Sequence, residues 1–178
     1  GKGDDIKFFN ELGINALGWD PHFNPNNNNL VTADIVNLGF VINVIESPKE
    51  RIEVLQKAYA LAKKCLSVAV MLPSQNDTIT ALPFADGQIT STRTFQKYYQ
   101  QIEIEELLST TLKANPIAAI AADNDNITGM AGAALAPAAP TLVPNVVIVL
   151  PARDILAACA LLPIPPVEPK IIRAIFYP

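Results

Sequence analysis

The chain predicts a doubly wound α/β sheet, and three observations carry that expectation. It begins with a glycine turn, a helix, a strand and an acid: Gly1, Lys2 and Gly3, an amphipathic run stopped by Gly13, then Ile14 to Trp19 and Asp20. Ala33 to Leu38 and Cys65 to Met71 are mostly apolar without strict alternation, as parallel strands covered on both faces are. Between those two strands lies the clearest helix signal in the chain, Ser47-Pro48 followed by a periodic run. Strand, helix, strand in succession makes a parallel pair with a crossover helix the economical architecture.

The elements follow in order. Two glycines one residue apart let the backbone turn tightly and approach a ligand closely. Ile6, Phe9 and Leu12 recur three apart with Phe8 beside them, and Asp4 and Asp5 suit the positive end of a helix. Pro21 to Asn29 is rich in turn formers and reads as an exposed loop. Gly39 to Ile45 is a short apolar link broken by Asn43. Ser47 as N-cap, Pro48 at the first helical position and Glu50 at the third make a capping box. Ile52, Leu55, Tyr59 and Ala62 then recur on one face, Glu53 and Lys57 can pair, and Lys63 and Lys64 suit the negative end. Residues 78 to 90 alternate loosely and suit a β-excursion turning at Asp86-Gly87. From Phe95 to Leu112 the helical period returns, with Ile104, Leu107, Leu108 and Leu112 as the inner stripe and Glu103, Glu105 and Glu106 near its start.

The sequence then changes style. Pro116 to Pro178 holds ten of the fifteen prolines and only seven charged residues. Val146 to Leu150 suits a strand and Asp154 to Leu162 a short helix, while Pro163, Pro165, Pro166 and Pro169 oppose regular structure beyond. The expected division is a nucleotide-fold domain over 1–119 and an irregular, apolar Ala/Pro-rich tail over 120–178, foreign to it or frame-altered.

Composition excludes some functions. Half the residues are hydrophobic, enough for a sizeable core in one domain. Only 17% are charged, the net charge is -4, and Lys and Arg are scattered, so no direct nucleic-acid footprint is expected. Cys65 and Cys159 lack partners at metal-ligand spacing and read as buried thiols in a reducing cytoplasm. The first residues are polar and acidic, so no secretory leader is expected. Residues 126–152 carry no charge over a membrane-spanning length, but Pro137, Pro140 and Pro144 interrupt them, so no membrane span is expected.

Glycine turn, helix, strand and terminal acid is the order of a mononucleotide-binding half, in which the acid accepts hydrogen bonds from ribose hydroxyls. Gly1, Gly3 and Asp20 are therefore the candidate cofactor residues, with a helix-entry turn and an ordinary turn acid as the bland alternatives. A dinucleotide fingerprint needs a third glycine at position 6, which is Ile, and this counts against NAD. In S-adenosylmethionine enzymes the glycines precede the helix, and Gly1 and Gly3 fit the last two. The lone His22 reads as a solvated loop imidazole, and a catalytic base stays unassigned. Asn37 and Asn43 interrupt apolar runs and need hydrogen-bond partners if buried. Tyr98 and Tyr99 suit core and rim.

Three blocks, GKGDDIKFFNELGINALGWDP, ADIVNLGFVINVIESPKERIEVLQKAYALAKK and GQITSTRTFQKYYQQIEIEELL, resemble the methyltransferase family associated with bacterial DNA phosphorothioation. The resemblance covers about residues 1–119. It implies a Rossmann-like class I methyltransferase sheet that lacks its first, central strand, and S-adenosylmethionine as the cofactor. Gly1 and Gly3 would then form the cofactor turn, Asp20 would hold the ribose, and Leu38 and Gly39 would border the methionine end. It also implies a role in DNA modification, with DNA reached through a larger complex and a methyl acceptor left open. Without the central strand, weak cofactor binding and an inactive fragment are expected. The alternative is a non-catalytic nucleotide-fold scaffold in such a complex.

Overall fold

A computed structural model of the chain describes residues 3–73, 82–114, 116–119, 145–148 and 171–174. In chain order these form α1 (Asp4–Glu11), β1 (Ala16–Trp19), β2 (Ala33–Gly39), α2 (Pro48–Leu61) and β3 (Ala62–Ala69), with a short 3-10 turn at Asn27–Asn29. Then come β4 (Leu82–Phe84), β5 (Gly87–Ile89), β6 (Phe95–Gln96), α3 (Gln101–Leu112), β7 (Pro116–Ala119), β8 (Asn145–Ile148) and β9 (Ile171–Ala174). Among the described residues, six strands make one sheet in the order β1-β9-β2-β3-β8-β7, every pair parallel. The strands β4-β5-β6 make a small antiparallel sheet. The α/β class expected from the strand-helix-strand order is present.

Strand register separates the two faces of the main sheet. Leu17, Ile172, Val36, Leu66 and Val146 stand in one row across five strands. The buried core that includes Val36, Leu38, Leu66 and Val68 also takes Val54, Leu55 and Ala58 of α2 and Ile104 and Leu108 of α3, with Leu17 packed against it. Side chains alternate across a strand, so Gly18, Asn37 and Ser67 belong to the other face. A Cβ at Gly18 would stand 3.2 Å from Cγ1 of Ile6, which puts α1 on that other face. Helices thus cover both faces, as a buried parallel sheet requires.

Two expectations about the tail are corrected. Its prolines do not leave it irregular, because Asn145–Ile148 and Ile171–Ala174 are proline-free and rich in β-branched residues. The expected gap in the sheet is not left open either: β9 pairs with β1 on one side and β2 on the other, joining two backbone edges that would otherwise face each other unpaired. The strand expected at Val146 to Leu150 is β8. The expected helix at 154–162 and Cys159 lie outside the described residues. So does most of the uncharged stretch 126–152. Among the described residues no helix is long and apolar enough to cross a membrane.

The helices were mostly legible. Ser47 caps α2, its Oγ accepting the Glu50 N–H at 3.4 Å, and Pro48 follows as expected. The buried stripe is rotated from the expected one, however: it is Arg51, Val54, Leu55 and Ala58, while Ile52 is 37% exposed. The helical ion pair is Lys49–Glu53 at 3.9 Å, both ends exposed. Lys63 and Lys64 do not end the helix. Ala62 has already turned extended at ψ 127, β3 begins there with no intervening loop, and Lys64 pairs with Asp34 on the neighbouring strand at 3.2 Å. The helix expected from Phe95 starts at Gln101, because 95–96 pair with β5 as β6.

Replacing Ile172 by Pro removes a ladder hydrogen bond in an interior strand and is expected to cost about 3 kcal/mol or more in chemical denaturation. An unchanged midpoint would remove β9 from the sheet. In the same assay Leu55→Ala is expected to cost about 2–5 kcal/mol, and Ile52→Ala within about 0.5 kcal/mol.

Candidate functional site

In a parallel α/β sheet the strand ends of like sense share one edge, and ligands sit outside the carboxyl ends. The packing of α1 decides which sequence candidates reach that edge. Near its end, Asn10 bonds to the start of β1, Nδ2 donating to the Ala16 carbonyl at 3.2 Å and Oδ1 accepting the Ala16 N–H at 3.0 Å. Near its beginning, Ile6 meets Gly18. The helix therefore runs antiparallel to β1, and its N-cap, Gly3, points to the edge where Asp20 ends the strand. Gly3 has φ 75, a left-handed conformation natural to glycine. Gly1 lies outside the described residues.

Asp20 is buried at 7% exposure. Its Oδ1 accepts the backbone N–H groups of His22 at 2.8 Å and Phe23 at 2.9 Å. Burial raises the pKa of this carboxyl, but the hydrogen bonds to the carboxylate outweigh burial and hold it below the ordinary value of 3.8. The following loop folds back on the outer side of β1: Asn24 and Asn29 each donate from Nδ2 to the Gly18 carbonyl at 2.8 Å, and Trp19 Nε1 donates to Asn27 at 3.1 Å. The asparagine run thus covers an edge strand's open carbonyl. Gly39 ends β2, two strand positions from β1, which corresponds to roughly 10 Å at the usual interstrand spacing. Leu38 is fully buried in the core, so only its backbone can face a ligand.

Further along the same edge, over β2 and β3, lies a charged cluster that the sequence did not announce as a unit. Arg51, in the first turns of α2, is 3% exposed. Its guanidinium forks onto Asp86, Nη1 to Oδ2 at 2.5 Å and Nη2 to Oδ1 at 2.9 Å, and also donates to the carbonyls of Ile45 at 2.7 Å and Glu46 at 2.9 Å. Lys97 Nζ lies 3.5 Å from Asp86 and 2.6 Å from Glu103. Two aromatic rings complete the cluster, Phe95 at 5.4 Å from the guanidinium and Tyr99 at 4.8 Å from the ammonium. The hydrogen bonds from Arg51 hold Asp86 below its ordinary value, against its partial burial. Burial lowers the Arg51 pKa, but bonding to Asp86 more than restores it. Burial pushes the Tyr99 hydroxyl up to about 12.

The connection after β6 ties this cluster to the strand ends. The Lys97 N–H donates to the Asn43 carbonyl at 2.7 Å and the Tyr99 N–H to the Met71 carbonyl at 2.9 Å. Beneath it, Asn43 Oδ1 and the Tyr99 hydroxyl are buried without hydrogen-bond partners among the described residues, as are Asn37 Oδ1 and Ser67 Oγ within the sheet. A signal for the cluster was present in the sequence: Arg51 is four residues before Leu55 and seven before Ala58, so an arginine sat on the apolar stripe and needed an acid. No metal-binding group of three or more His, Cys, Asp or Glu occurs among the described residues.

The fold and edge define an α/β protein with a parallel sheet and candidate ligand groups at its carboxyl side. Set against models of protein families, curated proteins and solved structures, the chain matches none.

Arg51→Ala strands Asp86 and Lys97 and is expected to cost about 3 kcal/mol by chemical denaturation, at the low end for a broken buried pair because Asp86 keeps access to water. Asp86 and Asp20 both have lowered folded pKa values, so their contributions are complete above the unfolded value and are lost as pH falls through the folded one. Acid titration of the wild type should show this loss beginning below about pH 5, and Asp86→Asn should make the profile flatter.

Proposed function

We propose that the chain is an S-adenosylmethionine-dependent methyltransferase domain of the kind linked to bacterial DNA phosphorothioation. One observation carries the reading: the antiparallel course of α1 brings Gly3 and Asp20 to the edge of the parallel sheet where Gly39 also ends. Its link to DNA modification rests on the resemblance of residues 1–119. In this reading Gly1 and Gly3 form the turn beside the cofactor, Asp20 accepts hydrogen bonds from the ribose, and the backbone at Leu38 and Gly39 flanks the methionine end. The bound sulfonium supplies an activated methyl group. The chain contributes position, since in-line transfer draws much of its rate from orientation. The Asp20 carboxylate is preoriented by its own turn, which lowers the ordering cost of gripping a sugar. Its methyl acceptor would be reached through partner proteins, in keeping with the low charge of the chain.

A scaffold without catalysis is the second reading, and the same carboxylate favours it, since its bonds to His22 and Phe23 account for Asp20 without a ligand.

Calorimetry with S-adenosylmethionine on the wild type and on Asp20→Asn separates the readings. The amide retains an acceptor oxygen for the turn but loses the charge, so affinity should fall roughly 10- to 100-fold. No saturable binding to the wild type would sink the cofactor assignment, and equal binding by both proteins would sink the role of Asp20. Binding without methyl transfer to host DNA, RNA or protein would favour the scaffold.

A further inference from the structure

The β4–β5–β6 unit is held to the rest of the protein in an unusual way. Every residue of β4 is exposed, including Leu82 at 70% and Phe84 at 43%, and every residue of β5 is half-buried, so this small sheet has little apolar footing of its own. Its tip and its far turn both use left-handed non-glycine residues, Ala85 at φ 48 and Arg93 at φ 61. The turn between β4 and β5 is also crowded: a Cβ at Gly87 would stand 2.6 Å from Cζ of Phe95 and 2.7 Å from the Gln96 carbonyl. What fastens the unit is charge. Asp86, in that tip, takes both the Arg51 fork and the Lys97 ammonium, and the Lys97 N–H and Tyr99 N–H then stitch the outgoing chain to Asn43 and Met71 beyond the ends of β2 and β3.

The closed arrangement also carries a cost in that same place. The Tyr99 hydroxyl and Asn43 Oδ1 are buried without hydrogen-bond partners among the described residues, although water would satisfy both if the segment lifted. A cluster of ion pairs favours closure, while strained turns and stranded polar atoms favour opening. Opposed contributions within one small unit are the makings of a two-state element.

We propose that β4–β5–β6 and the connection through Tyr99 form a flap over the carboxyl ends of β2 and β3, and that Asp86 is its latch. Opening breaks the Asp86 pairs and the Lys97 and Tyr99 backbone bonds together. It uncovers Asn43, Tyr99 and the N-terminal turn of α2, while the Arg51 guanidinium remains tethered to the carbonyls of Ile45 and Glu46. The flap thereby controls access to the sheet edge, and its existence does not depend on the methyltransferase reading, since its test needs no ligand.

Amide hydrogen exchange on the intact chain tests it. In Asp86→Asn, exchange across residues 84–99 should accelerate at least tenfold, with the Lys97 and Tyr99 amides among those affected, while residues 54–69 of α2 and β3 keep wild-type rates. Tyr99→Phe, which deletes the stranded hydroxyl, should slow exchange in 84–99 several-fold. Unchanged exchange there in Asp86→Asn, or acceleration spread equally through 54–69, overturns the latch. Should Asp86→Asn fail to fold, Tyr99→Phe decides alone: unchanged or faster exchange in 84–99 overturns the proposal, and slower exchange confined to that segment supports it.

Discussion

Every interior strand of a parallel sheet must find backbone partners on both sides, and the rest of this structure depends on how β9 and β8 meet that constraint. β9 stands between β1 and β2, and β8 stands between β3 and β7, so strands from the last third of the chain separate or extend elements from the first. The central pairing therefore joins residues more than a hundred positions apart, such as Val36 with Ile172. Loop closure of that span must be met before the pairing is rewarded, which makes completion of this sheet a late event in folding. The β2–α2–β3 unit, by contrast, is local and carries its own core with α3.

That division of labour also organises the candidate site. Gly3 and Asp20 belong to the β1 side of the carboxyl edge, and Arg51, Asp86, Lys97 and Glu103 to the β2–β3 side. The first group depends on α1 lying on the Gly18 face; the second depends on α2 lying on the opposite face, where Arg51 reaches the carbonyls of Ile45 and Glu46 just before the helix begins. Only the second group is bound to itself. Its charges are shared, two acids between two bases, so the cluster is compensated internally and leaves little net field at the edge.

Much of this was legible in the residues. Ser47-Pro48 marked α2, Gly13 ended α1, and ADIVNL read as a covered strand because each signal is local chemistry. The α2 stripe was misread by one position, because Ile52, Leu55, Tyr59 and Ala62 also satisfy a helical period. Arg51 won the inward place through Asp86, thirty-five residues away, a partner no local pattern announces. Prolines dominated the reading of the tail and masked two short β-branched segments whose strand character needs neighbours on both sides. At the site, the order of Gly3, helix, strand and Asp20 did foretell a shared edge. Asp86 was legible as a turn and Glu103 as a helix-start acid, but not as halves of one cluster, since tertiary folding alone brings them together.

The junction of α2 and β3 has a consequence of its own. Leu61 ends the helix and Ala62 begins the strand, so the azimuth of one is geared to the pleat of the other. Adding or deleting one residue in α2 would swing its stripe by about 100° or invert the facing of β3, and no slack exists between them to absorb the error. Changes of length must therefore collect elsewhere, as in the asparagine-rich loop after Asp20, and this stretch of the chain should keep its count of residues even where their identities drift.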